Sequence, residues 1–212
     1  MAVALSDMRV LQKLSVEFLE GRAGVLSQAG AIVMDTGLPE EVLTYIADAY
    51  GGDIPIFVDP VSTAYAKKLR GRLRGLHTVK PNLLETEVLA GMEIKNPRDL
   101  EEAACRLLSQ GPLRLVVSLG REGVYYRDRD GLALWVRGDP IRQVVNATGA
   151  GDALLGGLLY TFIKGDPPEQ ALPFAVAVSR MALSHRNTIN PDISREAGAA
   201  AMERDKIAVT RL

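Results

Sequence analysis

Short runs of apolar, often β-branched residues alternate along this chain with segments whose apolar residues recur every three or four positions. The first pattern is typical of buried β-strands and the second of amphipathic helices. The predicted strands are 31–35, 54–60, 77–81 and 115–119, followed by a hairpin of 123–128 and 132–137 around Asp130-Gly131. Two predicted helices begin at Pro39 and at Asn96-Pro97. Five more are predicted at about 62–73, 83–91, 150–164, 168–185 and 194–206.

This alternation predicts an α/β fold with a doubly wound, mostly parallel sheet and helices on both faces, because strands that are apolar throughout must be covered on both sides. Ligands of such sheets bind at the carboxyl ends of the strands, so polar motifs that follow strands form the candidate site. Residues 2–5 also have the pattern of a strand. A chain that begins within a sheet leads us to expect that upstream segments are absent.

Composition narrows the classes of partner. The 25 basic and 26 acidic residues nearly balance, which gives no electrostatic reason to expect nucleic acid as a partner. The single cysteine, Cys105, fits a reducing compartment and excludes a cysteine-based zinc cluster. Charges interrupt the N-terminus too early for a signal peptide, and no apolar run approaches the roughly 20 residues that cross a bilayer. We therefore expect a cytoplasmic protein without a membrane partner.

The segment from Asn146 to Asp152 (NATGAGD) precedes an apolar helix and is the first candidate for chemistry. A helix start offers free backbone N–H groups and a positive dipole end, and Gly149 and Gly151 allow a phosphate to approach closely. Asp152, in the first turn, can accept a proton from an attacking hydroxyl group. The pattern is equally compatible with an ordinary helix start in which Thr148 is the cap and Asp152 complements the dipole.

Two further motifs follow predicted strands. In KPNLLE, Asn82 and Glu85 can hold phosphate oxygens and magnesium-bound water, although the pattern by itself favours a capping box. In SLGREG, Ser118, Gly120 and Gly123 can border a nucleotide, but a turn that enters the hairpin would explain the same glycines. Each of these short motifs is a weak signal when it is taken alone.

The order and spacing of the three motifs resemble those of the ribokinase-like (PfkB) carbohydrate and nucleoside kinases, over about residues 35–190. The resemblance implies a ribokinase-like fold with a small β lid, ATP as the phosphoryl donor and Mg²⁺ as a cofactor. In this family the first third of the chain supplies the first βα units, the lid and most acceptor contacts. We expect these to be absent here, so that residues 1–212 are the C-terminal two-thirds of a single kinase domain, which in its full-length form could be a homodimer.

Carried over by position, the resemblance makes Asp152 the base that deprotonates the acceptor hydroxyl. The backbone N–H groups expected to form the anion hole are those of Gly149, Ala150 and Gly151. The residues expected to contact the nucleotide are Asn82, Ser118, Gly120, Gly123 and Thr148. Glu85 would organise Mg²⁺ through water. The residues expected on the acceptor side are Asp35, Asp59 and Ser62.

Two finer features of the sequence bear on activation by a monovalent cation and on the identity of the acceptor. Many family members have Asp in a monovalent-cation loop where this chain has Asn146, which puts activation by potassium in doubt. The segments FVDPVSTAYAKKL, LHTVKPNLLETEVLAG and VVNATGAGDALLGGL resemble the pseudouridine kinase branch, which implies 5′-phosphorylation of pseudouridine by ATP. The alternatives are another acceptor, such as ribose, fructose or adenosine, and a truncated, non-catalytic nucleotide-binding or assembly module.

Overall fold

The computed structural model describes residues 8–141 and 143–212. They divide into a first unit, which ends at Leu115, and a second unit, Val116–Leu212. The strand expected at residues 2–5 lies outside the described residues, and the single domain expected over residues 1–212 remains a prediction. No helix in the described part of the chain is long and apolar enough to cross a membrane.

The first unit is built on strands that pair in parallel, in the order in which they occur along the chain. They are β1 (Ile32–Asp35), β2 (Ile56–Asp59), β3 (Thr78–Val79) and the start of β4 (Arg114–Ser118). The register pairs Met34 with Val58 and Phe57 with Thr78. The strands lie where the apolar runs predict them, and their parallel pairing confirms the predicted strand–helix alternation.

The helices of the first unit include the predicted ones that begin near Pro39, at 83 and at Asn96-Pro97, and short segments precede β1. They are α1 (Val16–Glu20), α2 (Ala23–Leu26), α3 (Glu40–Tyr50), α4 (Thr63–Ala66), α5 (Leu83–Ala90) and α6 (Pro97–Leu108), with 3-10 turns at Arg9–Lys13 and Lys67–Leu69. The stripe of α3 that the sequence predicts is buried: Val42, Leu43, Ile46 and Ala47. Asn96 caps α6 by accepting bonds from the N–H groups of Arg98 and Asp99, at 2.9 and 3.2 Å.

The structure corrects one predicted helix of the first unit. Residues 62–73 do not form a continuous basic helix, because α4 ends at Ala66 and Gly71 takes a left-handed conformation with φ of 70°. The apolar positions Leu69 and Leu73 are buried nevertheless. The pattern thus predicts which side chains reach the core but not the backbone path, which turns where glycine permits a positive φ.

The second unit contains an antiparallel set of three strands. The predicted hairpin is confirmed as β5 (Val124–Asp128) and β6 (Ala133–Arg137), in which Tyr125 pairs with Trp135. A further strand, β7 (Ala208–Arg211), pairs with β6 and was not predicted. Its four residues are exposed or only half buried, but Val209 and the preceding Ile207 pack against the core, so the short run Ile207-Ala208-Val209 was the available signal.

Three helices complete the second unit and match the predicted segments: α7 (Ala150–Ile163), α8 (Pro168–Leu183) and α9 (Arg195–Arg204). The expectation that the helix after the glycine-rich segment is apolar on all sides, and therefore buried, is only partly met, because Ile163 remains 68% exposed. One side of α7 packs against α8, where Leu158 joins a core that contains Leu172 and Val176. At the closest point of this contact, a β-carbon on Gly157 would lie 2.7 Å from the Ala175 α-carbon.

This contact gives a stability prediction. We expect Gly157→Ala to lower the free energy of unfolding by about 1–3 kcal/mol, because the added methyl group would force α7 away from α8. Gly156→Ala is the matched control, since a β-carbon there meets nothing within 4 Å and alanine favours the helix by up to ~1 kcal/mol. Urea unfolding of both variants tests the pair. Changes of the same sign would contradict the close approach.

Candidate active site

The glycine-rich segment ends in a helix start that leaves backbone N–H groups free. Gly149 is the residue before α7, and the first bond of the helix runs from the Ala153 N–H group to the Gly149 carbonyl group at 2.9 Å. The N–H groups of Ala150, Gly151 and Asp152 therefore precede the intrahelical bonds and lie at the positive end of the helix dipole. These groups can bind an anion. The sequence predicts Gly149, Ala150 and Gly151 for this role, and the helix start adds the N–H group of Asp152 to those of Ala150 and Gly151.

Gly149 is required by its backbone and by its surroundings. Its φ of 87° lies in the left-handed region, and a β-carbon at this position would overlap the Thr188 carbonyl oxygen. Ser179 of α8 donates a hydrogen bond from its hydroxyl group to the Ala150 carbonyl group at 2.8 Å. Packing against the chain around and beyond the end of α8 therefore fixes the conformation that presents the free N–H groups.

The residues ahead of Gly149 are tied to the C-terminal end of α8. The Leu183 carbonyl group, at the end of this helix, accepts bonds from the N–H groups of Val145 and Asn146 at 2.9 and 3.3 Å. The Asn146 amide donates to the Arg186 carbonyl group at 3.1 Å and accepts the Thr148 N–H bond at 2.9 Å. Thr148 is not the helix cap of the alternative interpretation, because Gly149 holds that position without a side-chain bond.

Asp152 lies in the first turn of α7, three residues beyond Gly149, and its side chain is exposed. A carboxylate at this position benefits from the positive end of the helix dipole. It also lies within one turn of the free N–H groups. The arrangement places a proton acceptor beside an anion cradle, by which we mean the N–H groups of Ala150, Gly151 and Asp152.

The segment after β3 forms the capping box that its pattern favours. The Asn82 side-chain oxygen accepts the Glu85 N–H bond at 2.9 Å, and the Glu85 carboxylate accepts the Asn82 N–H bond at 2.8 Å. The Asn82 amide also donates to the second carboxylate oxygen of Glu85 at 2.8 Å. Glu85 is only 2% exposed. The carboxylate is therefore held rigidly, and each of its oxygens already accepts one hydrogen bond.

Burial raises the pKa of the Glu85 carboxyl group above its ordinary value of 4.5. The hydrogen bonds from Asn82 oppose this effect by stabilising the charged form. Two neighbouring charges act in opposite directions, since Asp59 raises the pKa of Glu85 and Lys80 lowers it. Burial is the largest contribution, so the charged form of Glu85 is less favourable in the folded protein than in the unfolded chain.

Lys80, the first residue of the KPNLLE motif, belongs to this polar group, although the sequence analysis assigned it no role. Its ammonium nitrogen lies 3.0 Å from Asp59 Oδ2, and the residue is only 3% exposed. The Lys80 N–H group donates to the Val58 carbonyl group at 3.0 Å, which continues the pairing of β2 with β3 and sets Lys80 beside Asp59. A lysine directly after an apolar strand was the available signal. Removal of either member would leave a nearly buried, uncompensated charge.

Two of the predicted acceptor-side residues are the last residues of β1 and β2, and the third, Ser62, follows β2. Asp35 and Asp59 are paired in the register, and each carboxylate accepts a backbone N–H bond two residues later, from Gly37 at 2.6 Å and from Val61 at 2.9 Å. The structure therefore brings both carboxylates to the same edge of the parallel strands. Ser62 caps the short helix α4 through its hydroxyl oxygen. It has a structural role at this edge whether or not it also contacts an acceptor.

The SLGREG segment leaves β4 and enters β5. Gly120 has a φ of 58°, and a β-carbon there would meet nothing within 4 Å, so the space beside it is open. Gly123 has a φ of 86°, and a β-carbon would overlap the Val136 carbonyl oxygen. Ser118 is the last residue of β4 and is half buried. Close packing of the hairpin explains Gly123, whereas at residue 120 the positive φ alone favours glycine.

Direct metal ligation is not evident in this part of the molecule. Within residues 8–141 and 143–212, no three His, Cys, Asp or Glu side chains are grouped so that they could hold a metal ion. In the first unit, Asp59, Lys80, Asn82 and Glu85 interact with one another, and in the second unit the anion cradle and Asp152 form one helix start.

Comparisons with known proteins agree with the predicted family. The profile of the pfkB family carbohydrate kinases matches residues 8–195. Pseudouridine kinase of Escherichia coli (strain K12) is 40% identical over 195 residues, which cover 92% of this chain and 61% of that protein. The uncharacterized sugar kinase YeiI of the same strain is 32% identical over 92% of this chain and 53% of that protein. The chain thus spans less than two thirds of the length of these relatives.

A solved structure supports the predicted fold. Ribokinase of Arabidopsis thaliana, complexed with ribose and ATP, superimposes with a TM-score of 0.77 at 21% identity, over 89% of this chain and 59% of that one. At this level of identity the likeness concerns the fold alone. The predicted ribokinase-like α/β fold, with its mostly parallel strands, is therefore confirmed.

The raised pKa of Glu85 gives a prediction about pH. Since folding raises this pKa above 4.5, the wild-type chain should lose stability relative to Glu85→Gln as the pH rises from 4.5 through the pKa of the folded state. The mismatch of the glutamine amide with Asn82 adds a cost that does not vary with pH. Urea unfolding of both proteins between about pH 4 and 7 measures the difference.

Glu93→Gln is the control for this series, because the Glu93 carboxylate is 69% exposed. We expect its difference from the wild type to be nearly constant over the same range. A Glu85→Gln difference that is also constant, or that increasingly favours the wild type at higher pH, would show that the buried carboxyl group is not destabilised by its charge.

Proposed function

Because this chain belongs to the pfkB family of carbohydrate kinases, we propose that it supplies the phosphoryl-transfer part of a small-molecule kinase. The γ-phosphoryl group of ATP would be transferred to a hydroxyl group of a sugar or a nucleoside. The observation that carries this proposal is the start of α7, where the Asp152 carboxylate lies in the same helical turn as three free N–H groups. A base and an anion cradle are the groups that phosphoryl transfer requires.

In the proposed reaction, the Asp152 carboxylate accepts the proton of the acceptor hydroxyl group. The acceptor oxygen then bonds to the γ-phosphorus, and the bond from this phosphorus to the β,γ-bridging oxygen breaks, so that ADP leaves. The anion cradle stabilises the negative charge on the phosphoryl oxygens during transfer. Since Gly149 and the end of α8 fix these N–H groups in advance, little reorganisation is needed at the moment of reaction.

The residues of the first unit fit a magnesium ion that is bound through water. Both Glu85 oxygens already accept hydrogen bonds from Asn82, and the carboxylate is nearly buried. Its remaining lone pairs can accept from a metal-bound water, which is the usual way in which Mg²⁺ is held beside nucleotide phosphates. When bound, Mg²⁺ would supply positive charge that neutralises the phosphate oxygens. The open space beside Gly120 leaves room for the nucleotide.

The proposal includes no potassium requirement. Asn146 uses its side-chain oxygen for the Thr148 N–H bond and its amide group for the Arg186 carbonyl group. The side chain thereby fastens the segment ahead of the anion cradle without a charged group. An Asn at this position lacks the negative charge of the Asp that many family members have there, and for this reason the proposal omits potassium.

We propose pseudouridine as the acceptor and pseudouridine 5′-phosphate as the product. The support is the 40% identity to an Escherichia coli pseudouridine kinase over 92% of this chain. A free sugar is the second candidate, because YeiI, which is named as a sugar kinase, aligns over the same share of the chain. Asp35 and Asp59, at neighbouring strand ends, are the proposed acceptor-side carboxylates, since carboxylates can accept hydrogen bonds from sugar hydroxyl groups.

A non-catalytic nucleotide-binding module is the alternative from another class. The fact that favours it is the coverage, since this chain spans 61% and 53% of the two relatives. Catalysis requires the acceptor to be held in line with the γ-phosphate, and a chain that binds only the nucleotide would lack this alignment. The alternative therefore differs from the proposal in one measurable respect, which is acceptor turnover.

An assay with several acceptors tests the function. We expect the chain, incubated with ATP and Mg²⁺, to form pseudouridine 5′-phosphate faster than it phosphorylates ribose, fructose or adenosine, as measured by separation of the products. Calorimetry with ATP is run in parallel. Binding of ATP without turnover of any acceptor would favour the non-catalytic module, and preferential turnover of a free sugar would replace pseudouridine as the acceptor.

The role of Asp152 has its own test. Asp152→Asn should lower kcat by at least about a hundredfold, because a general base contributes roughly 10²–10⁴ to the rate. Glu169→Gln is the matched control, since Glu169 also lies in the first turn of a long helix, α8. The substitution likewise removes a negative charge that interacts favourably with the helix dipole. We expect the control to keep kcat within about twofold. Equal effects of the two substitutions would exclude Asp152 as the base.

A further inference from the structure

The turn that follows β2 has a backbone conformation that is unusual for its residue. Val61 has a φ of 63°, and the Ser62 N–H group donates to the Pro60 carbonyl group at 2.6 Å across it. This is a γ-turn with a positive φ at its centre, which is rare and strained. A β-branched side chain makes the left-handed region still less favourable.

Surrounding contacts hold the strained turn in place. The Asp59 carboxylate accepts the Val61 N–H bond at 2.9 Å, and its other oxygen is fixed by Lys80 at 3.0 Å. The fully buried Thr36 donates from its hydroxyl group to the Pro60 carbonyl group at 2.6 Å. These bonds come from β2 and from the residues that follow β1 and β3. Several contacts therefore hold the turn in its strained conformation, as is general for strained backbone at functional sites.

Folding does not explain why this residue is valine. The Val61 side chain is 51% exposed, so its burial contributes little to offset the strain. Glycine would adopt the same backbone without a steric cost. The chain uses glycine at nine other positions of positive φ, and within the described residues only Val61 and Lys206 depart from this rule. Strain without a gain in packing points to a function of the side chain.

The position of the turn indicates what that function is. Val61 comes two residues after the end of β2, at the edge of the parallel strands where ligands bind. It lies between Asp59 and Ser62, two of the proposed acceptor-side residues. The Val61 N–H group, the Pro60 carbonyl group and the Ser62 hydroxyl oxygen have hydrogen-bond partners within the protein, and the Val61 side chain is exposed to solvent. An exposed, rigidly held apolar group at such an edge suits the carbon face of a ligand that also has hydroxyl groups.

We propose that Val61 is a specificity-determining residue whose isopropyl group contacts the carbon face of the acceptor sugar or nucleoside. This inference rests on the proposed kinase function and extends it to the selection of the acceptor. The strained turn holds the β-branched side chain in one direction. The contact is therefore pre-organised, and its formation does not require the side chain to be ordered on binding.

The test compares Val61→Gly and Val61→Ala with the wild type. Val61→Gly should raise the melting temperature by about 2–4 °C, because it relieves the strained φ. It should also raise KM for the acceptor by roughly fivefold to tenfold while kcat and KM for ATP change little. Val61→Ala keeps a β-carbon in the turn, so a comparable rise in KM for the acceptor would be due to the lost methyl groups and not to a looser backbone.

Lys206→Gly is the matched control, since Lys206 is the other described non-glycine residue with a positive φ, 47°, and it lies in the turn before β7. It should raise the melting temperature without a change in KM for the acceptor. A Val61→Gly chain that melts at or below the wild-type temperature overturns the inferred strain, independently of any kinase activity. A higher melting temperature with an unchanged KM overturns the role in specificity. Absence of turnover with every acceptor in the wild-type chain overturns the proposed function and this inference with it.

Discussion

The parallel register of β1, β2 and β3 determines which polar side chains meet in the first unit. It pairs Asp35 with Asp59 and carries on beyond β3, where Lys80 reaches Asp59. Neighbouring residues in a parallel register point to the same face, so the ion pair and the two aspartates depend on this alignment. A slip of one strand by one residue would place Lys80 and Asp59 on opposite faces of the sheet. Each charge would then lack its partner. The capping box of Asn82 and Glu85 then begins the next helix directly beside this pair.

In the second unit the corresponding constraint is the end of α8. The last carbonyl groups of a helix have no intrahelical partners, and here the Leu183 carbonyl group is satisfied by two N–H groups of the segment ahead of the anion cradle. The helix end and the glycine-rich segment therefore complete each other's hydrogen bonding. Ser179 adds a bond to the first residue of α7. Two helices that are packed through Gly157 thus fix a loop whose own residues are mostly exposed.

Much of this arrangement could be predicted from the sequence, because apolar periodicity and glycine positions are local signals. The strands, the long helices, the hairpin and the cap at Asn96 follow from them. The strand β7 was not predicted, because its only apolar signal is the short run Ile207-Ala208-Val209 and most of its residues are exposed. The ion pair of Asp59 with Lys80 and the positive φ of Val61 depend on residues from different strands. Such features follow from tertiary register and not from local pattern, which is why the KPNLLE motif predicted roles for Asn82 and Glu85 but none for Lys80.

The tethering of the anion cradle also has a consequence for how the protein opens. Local unfolding proceeds in cooperative groups of residues that share hydrogen bonds. The N–H groups of Val145 and Asn146 and the last turn of α8 share the Leu183 carbonyl group, so fraying of that turn releases the loop as well. Amide hydrogens of the loop and of the end of α8 would then exchange with solvent through one shared opening equilibrium. The segment ahead of the anion cradle therefore stays ordered only as long as the end of α8, about 35 residues further along the chain, remains folded.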